Sequence, residues 1–600
     1  MRVTCIDDGF ADRRYGKMVK AEIAATLYEI SRLLELKGEN PFRCRAYQTA
    51  AQALELTELS LDILVNEKRL AAIPGIGSSM QEKISILYQT GELPELNQLR
   101  SDVPPGLLLM MKIPGLGPKK IKQIYETLGI SELSVLKEAC LKNQIAVLKG
   151  FGEKTQQKIL QGIGFIDQIG QRVRIDQAYP LGLALLEQLR QLPGVIRSEL
   201  CGSLRRRRET TKDIDILISS DNPKPIMDAF VQLPEVHQVT NHGETKSSIV
   251  ALLRSGESSI FLNADLRVVS EEAFPFALHH FTGSKEHNIR MRSRAIEMGL
   301  SLSEYSLAGK SKSIQCKTET DIFAALGLDY IPPELREDTG ELEAAENHRL
   351  PRLIEADQLC GVFHNHTTYS DGTHSLEEMA EAAKELGWEY FGVADHSQSL
   401  KVARGLSPAA VKKQHQEIDL LNKKLKGVQI IKGIECDILE DGSLDYDDDL
   451  LRTFDYVVAS VHTHFQQSAT DMTKRICTAL RHPAVTMLGH ATGRLLLQRP
   501  GYAVDLDAIL LAAKEHHKMI EINAQPLRLD LDWRYCKKAK MMGIPLVINP
   551  DAHQKSELAL VHFGIDVARR AWLEKADVFN TSSYEQVMKV LKMRKSLWKS

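Results

Sequence analysis

A chain of 600 residues is longer than the roughly 250–300 at which one hydrophobic core stops growing, so two to four domains are expected. Hydrophobic residues at 43% and charged residues at 26% exclude a disordered or collagenous chain, and nine scattered cysteines without a Cys-x-x-Cys pair indicate neither a disulfide framework nor a thiolate zinc site. A net charge of -3, with no strongly basic region, excludes nucleic-acid binding through a global field and leaves local patches, backbone amides or metal ions.

Residues 1–17 precede the helical pattern that starts at Met18 and read as an N-terminal extension. From there to 170, apolar residues at three-and-four spacing, as in Ile23, Leu27, Ile30 and Leu34, predict an all-α region in two parts, 18–95 and 96–170. Residues 171–335 read as α+β, with a helix near Leu181–Leu192 and strands at Ile214–Ile218, Ser248–Leu253 and Phe261–Val269. The polar, turn-rich stretch that follows Pro332-Pro333 reads as a linker over 336–355. In 356–600, apolar strands alternate with helices, the pattern of a β/α barrel or a layered α/β sheet. No apolar run approaches 18 residues, so no membrane-spanning helix is expected, and Arg2, Arg13, Arg14 and acidic groups stand where a signal peptide would be apolar, so a cytoplasmic protein is expected, acting as a monomer.

Three segments repeat one form ahead of a helix: Ile73-Pro74-Gly75-Ile76-Gly77, Ile113-Pro114-Gly115-Leu116-Gly117 and Leu148-Lys149-Gly150-Phe151-Gly152. Paired glycines around an apolar residue make a tight turn whose free amides face a phosphate. One such turn is commonly a plain helix connection; three, two of them followed by lysines, point to a grip on DNA backbone that reads no sequence.

Asp213 and Asp215, two apart on a predicted strand, present both carboxylates to one face, and Asp265 lies on another strand. Three converging carboxylates can hold two Mg2+ ions that activate a 3′ hydroxyl and steady a leaving pyrophosphate. Gly202, Ser203 and the arginines that follow are placed to meet a triphosphate. Thirteen of the nineteen histidines fall after residue 355. His364, His366, Asp371, His396, Glu435, His462, His490, Asp551 and His553 each follow an apolar strand, where β/α barrels build their sites. Imidazole mixed with carboxylate suits Mn2+, Zn2+ or Fe2+, and several such ions together are able to generate a hydroxide and neutralise a phosphate.

With these motifs the chain resembles a bacterial family X DNA polymerase over residues 20–335 and a PHP (polymerase and histidinol phosphatase) domain over 356–600. The resemblance implies helix-hairpin-helix regions for lyase-type and fingers domains, a nucleotidyltransferase palm and thumb, and a distorted (β/α)7 barrel. It implies gap-filling synthesis on gapped or primer-template DNA from deoxynucleoside triphosphates, with 3′-to-5′ exonuclease activity in the barrel. Asp213, Asp215 and Asp265 would be catalytic; Gly202, Ser203, Arg206, Phe281, Gly283 and Asn288 would bind nucleotide; Arg292 would lie on the template side. In the barrel, His364, His366, Glu435 and Asp551 would hold one ion, Glu435, His462 and His490 a second, and Asp371, His396 and His553 a third. Asp437, Asp441 and Arg494 would support that site or its substrate. Lys83 matches the Schiff-base lysine of lyase-active members, although Ser79 replaces a supporting lysine. His280 stands where tyrosine is common, and Arg207, where a small residue is usual, is expected to point outward. Val362, Ala491 and Pro550 also depart from the barrel family's usual residues without removing a ligand. A DNA-docking platform with phosphoesterase activity alone, or a small-molecule phosphatase, are the alternative readings.

Overall fold

The computed structural model describes residues 20–599 except 57–60, 67, 74, 92, 112, 114–115, 170–171, 256–257 and 310–312. Two compact units are distinguished, one up to Gly170 together with Arg254–Ile260, the other Gln171–Leu253 with Phe261–Ser600. No helix of the described residues is long and apolar enough to cross a membrane.

The first unit is helical to Ile169. Helices Lys20–Lys37 and Pro41–Leu56 pack as a pair whose stripe of Ile23, Leu27, Ile30, Tyr47 and Leu54 is fully buried or nearly so. The apolar residue between each glycine pair, Ile76, Leu116 and Phe151, is buried, and its amide donates three residues back, to Ile73, Ile113 and Leu148 carbonyls. The repeat seen in sequence is thus a repeat of backbone geometry.

In the second unit the palm is a five-stranded sheet of β1 (Arg197–Leu200), β2 (Asp213–Ser219), β3 (Val236–His242), β4 (Lys246–Ser255) and β5 (Ser258–Val269), ordered β1-β2-β5-β4-β3. Strands β2 and β5 run parallel with Asp215 opposite Asp265, so the register itself brings the carboxylates together. The segment read as a linker at 336–355 is instead packed into a hydrophobic core. Arg336 is fully buried, its guanidinium on Glu319 and the Ile331 carbonyl, and fully buried Glu341 accepts from His287 Nδ1 at 2.8 Å. Leu342, Ala345 and Leu353 join the core around Ile322 and Phe323. Composition reads such a charge run as solvated, but its partners sit far away in sequence and take it inside.

The barrel strands are β6 (Gly361–Val362), β7 (Tyr390–Val393), β8 (Gln429–Asp437), β9 (Tyr456–Ser460), β10 (Met487–Leu488), β11 (Met519–Asn523) and β12 (Leu546–Asn549), all parallel and in sequence order. The barrel is nearly closed. At the seam, buried Asn580 donates to the carbonyls of Gly361 and Ile548 and accepts from Ile548 N, and Asn549 Oδ1 accepts from Phe363 N. Side-chain amides there replace a ladder that β6 and β12 do not form.

Candidate active sites

In the palm, Gly202 has φ +61°, and a Cβ there would lie 2.1 Å from Asp215 Oδ2. Only glycine allows the loop to pass this close to the carboxylate. Burial, then Asp213 and Asp265, push the Asp215 carboxyl up to about 7; burial and Asp265 also raise Asp213. Carboxylates that crowd one another in this way fit divalent cations. Lys246 on β4, which the sequence reading passed over, sets Nζ 2.8 Å from Asp265 Oδ2.

Each arginine of the basic loop at 205–207 has a protein partner. Arg205 is bidentate on Glu319, with Thr282 Oγ1 at 2.7 Å. Arg206, buried, donates Nε to Glu337 and Nη1 to the Thr282 carbonyl. Arg207 does not point outward to solvent: at φ +56° it lies over the Tyr179 ring and 3.8 Å from Asp566 of the barrel. Its left-handed backbone and an acidic group from beyond the palm turn it inward. Ser203 Oγ shares a 2.6 Å hydrogen bond with Thr211. Asn288 Nδ2 donates to the carbonyls of His280 and Gly283, Arg292 donates to His280 Nδ1 at 3.2 Å, and Phe281 stacks under Arg267. Of the residues expected around nucleotide and template, Phe281, Gly283, Asn288 and Arg292 therefore gather on the segment that carries His280, while Gly202 and Ser203 lie on the loop against Asp215 and Thr211.

The barrel gathers all nine candidate ligands at the carboxyl ends of its strands, from six of the seven. Glu435 is central: Oε1 lies 2.9 Å from His490 Nε2 and 3.2 Å from His462 Nε2, and Oε2 lies 2.9 Å from His396 Nδ1 and 3.2 Å from His364 Nε2. Asp551 Oδ1 accepts from His366 Nε2 at 3.1 Å, while His396 and His553 each approach Asp371 Oδ2 to 3.5 Å. Groups compact enough for one ion are His366, Asp371, His396 and His553; His364, His490 and Asp551; His364, His366 and Glu435; and His396, Glu435 and His462. The imidazoles of His366 and His553 stack at 4.2 Å. Burial, with His553 and His396 beside it, lowers the His366 pKa to about 3, so it is held as a neutral ligand. His364 Nε2, His396 Nδ1 and Glu435 Oε2 are buried without a hydrogen bond, as atoms awaiting a cation would be. The residues fit a multinuclear metal group.

Of the supporting groups, Asp437 is one the sequence marks, while Glu521 and Asp395 come from positions that sequence spacing does not mark. Glu521, fully buried on β11, accepts from His364 Nδ1 and His490 N, both at 2.7 Å. Asp395 accepts from Thr367 N and Oγ1, Ser370 Oγ and Gln414, tying down the loop that carries Asp371. Asp437 accepts from His462 Nδ1 at 2.5 Å. Such partners fix the tautomer and orientation of a ligating imidazole. Asp441 instead caps a turn at Ser443, and Arg494 faces Glu209 of the palm at 2.8 Å, away from the ligands.

In the helical unit, a Cβ at Gly77, Gly117, Gly150 or Gly152 meets nothing within 4 Å, leaving the turns open to an approaching backbone; Gly75 has φ +95° beside Thr49, and Gly115 lies outside the described residues. Lys83 Nζ is engaged by the Glu95 carboxylate and the Tyr47 hydroxyl, and Glu95 also accepts from Arg43 at 2.7 Å.

A multi-ligand barrel fused to a two-strand carboxylate palm defines a class: nucleotidyltransferases joined to PHP-type metal hydrolases. Family models agree, matching a helix-hairpin-helix domain at 18–93, a SAM-like helix-hairpin-helix tandem at 107–164, a DNA polymerase beta thumb at 277–337 and a PHP domain at 363–525. The chain is 40% identical over 579 residues to DNA polymerase/3'-5' exonuclease PolX of Bacillus subtilis, covering 96% of this chain and 100% of the relative. DNA polymerase lambda of Rattus norvegicus is 26% identical over 349 residues, 53% of this chain and 55% of its own. A probable phosphatase of Thermoanaerobacter sp. strain X514 is 30% identical over 229 residues, 36% of this chain and 89% of its own. The chain belongs to the family X DNA polymerases that carry a C-terminal PHP domain.

Proposed function

We propose that this protein is a DNA-directed DNA polymerase that fills short gaps during repair and trims DNA 3′ ends through its barrel, as a cytoplasmic monomer. The observation that supports this reading is that one chain carries both a palm cluster of Asp213, Asp215 and Asp265 and a barrel cluster of imidazoles and carboxylates, two chemically different sets of groups.

At the palm, Asp213, Asp215 and Asp265 would hold two Mg2+ ions, and in the barrel the nine-ligand cluster would hold up to three ions such as Mn2+, Zn2+ or Fe2+. Bound there, such ions supply Lewis acidity and an activated oxygen nucleophile. Gly202 keeps the triphosphate loop against Asp215 and Ser203 would meet the incoming deoxynucleoside triphosphate, whereas Arg206 would first have to leave Glu337 and the Thr282 carbonyl to reach it. Asn288 and Arg292 exchange their contacts with the His280 segment for base pair and template. Glu521, Asp437 and Asp395 hold the barrel imidazoles and the Asp371 loop in the geometry that hydrolysis needs. The three glycine turns carry the DNA backbone. Lys83, which matches the family's Schiff-base lysine, is engaged by the Glu95 carboxylate and the Tyr47 hydroxyl, contacts its amine would have to leave to attack a sugar.

The test follows a 5′-labelled primer on a one-nucleotide gap, with Mg2+ or Mn2+, with and without nucleotides. Wild type extends and shortens it, Asp213→Ala only shortens it, and His364→Ala only extends it. A wild type that shortens but never extends reduces the palm to a docking platform. The likeness to probable phosphatases supports a second reading of the barrel, a small-molecule phosphatase; preference for a phosphorylated metabolite over a DNA 3′ end would establish it.

A further inference from the structure

One side chain in the barrel cavity is neither a metal ligand nor satisfied by the protein. Arg528, on the loop after β11, lines a cavity of about 260 Å3 together with Asp371, His396, Glu435, His462 and His553. Its side chain is only 21% exposed, yet its ion pair is a loose one, Nε to Asp551 Oδ2 at 3.5 Å. Among the described residues, its guanidinium donates no hydrogen bond. Five N–H donors in a fixed fork are thus held beside the metal ligands without an acceptor. The loop beneath is anchored: Arg528 N donates to the Gln525 carbonyl, and its own carbonyl accepts Arg494 Nε at 2.9 Å. The fork is therefore presented by a fixed base.

Leu400, Val402 and Ala403 form another part of the cavity lining. Val402 is 89% exposed on a short turn that also exposes Lys401 and Arg404. An apolar tip beside two cations, lining the same small cavity as a guanidinium, fits an anion with an apolar body. The volume lies below the roughly 300–1,000 Å3 of sites that enclose a drug-sized ligand, which suits one terminal nucleotide rather than a duplex.

We propose that Arg528 grips the phosphate of the 3′-terminal nucleotide of a DNA strand, with Val402 against its sugar and base. This rests on the barrel acting as a 3′-to-5′ exonuclease. Water oxygen adds to that phosphorus, the bond to the penultimate 3′ oxygen breaks and takes up a proton, and the phosphate leaves with the terminal nucleoside still on Arg528. A planar fork matches phosphate where an ammonium does not.

The experiment uses the full Mn2+-loaded chain and its Arg528→Ala and Arg528→Lys variants. Thymidine 5′-monophosphate and thymidine are titrated calorimetrically, metal content is measured, and digestion of a 5′-labelled single strand is followed. Arg528→Ala should weaken monophosphate binding and kcat/KM by about 30-fold or more, leave metal content unchanged, and be only partly restored by lysine. Wild-type monophosphate affinity in Arg528→Ala, or loss of metal from it, overturns the assignment. A wild type that binds the monophosphate through Arg528 but digests no DNA overturns the exonuclease reading instead.

Discussion

In the palm, three carboxylates come from two neighbouring strands and the nearest cation is a lysine, Lys246. In the barrel, nine candidate ligands come from six strands, six of them forming a web centred on Glu435, and the cation lining the cavity is Arg528. The first arrangement is all oxygen, the choice of hard ions that keep much of their water; the second mixes imidazole with carboxylate and suits borderline metals. The two sites also differ in what steadies them: the palm relies on register and one glycine, the barrel on buried partners such as Glu521 and Asp395. Between them lies a charged contact, Glu209 with Arg494 and Arg207 with Asp566.

The largest effect should come from separating the sites. Asp213→Ala should cut primer extension by about 1,000-fold or more while shortening persists, and His364→Ala the reverse, each read on the same labelled primer; a parallel fall in both activities would break the comparison. Next, Arg494→Ala leaves Glu209 without its partner in a largely buried place. It should lower stability in chemical denaturation by about 3 kcal/mol, with the Glu209→Ala double variant losing less than the sum. Glu521→Gln should weaken barrel metal binding by about 10- to 100-fold on calorimetry and leave the palm's extension rate alone.

Smaller effects test the palm's cation and the contact between the domains. Lys246→Ala should lower the Mg2+ needed for half-maximal extension two- to fivefold, the range of a partly exposed ion pair worth at most about 1 kcal/mol. Burial pushes the Asp566 carboxyl up to about 7, opposed by Arg207. A raised carboxyl binds its proton more tightly when folded, so its contribution is complete below the ordinary value of 3.8 and is lost as pH climbs through about 7. Asp566→Asn should flatten that slope, a Tm difference of about 2–4 °C across the range, read by calorimetry at pH 5 and pH 8.

What the sequence determined by itself was local and periodic. The glycine pairs at 75–77, 115–117 and 150–152, the Asp-x-Asp of β2 and the strand-end histidines each state their geometry within a few residues, because a turn, a strand period and a strand end are short-range facts. The candidate ligand set and the expected domain classes rest on them. What only the tertiary structure decided was partnership over distance. Composition called 336–355 a linker, but Arg336 and Glu341 are buried because Glu319 and His287 meet them. Arg207 is expected from sequence to point outward and Arg494 to support the barrel site, but each is held across the contact between palm and barrel, by Asp566 and Glu209. Lys246, Glu521 and Arg528 carry no motif, and their roles arise where folding sets them beside Asp265, His364 and the barrel cavity. A charge costs too much to bury alone, so where it goes depends on which opposite charge the fold delivers, and no window of sequence contains that information.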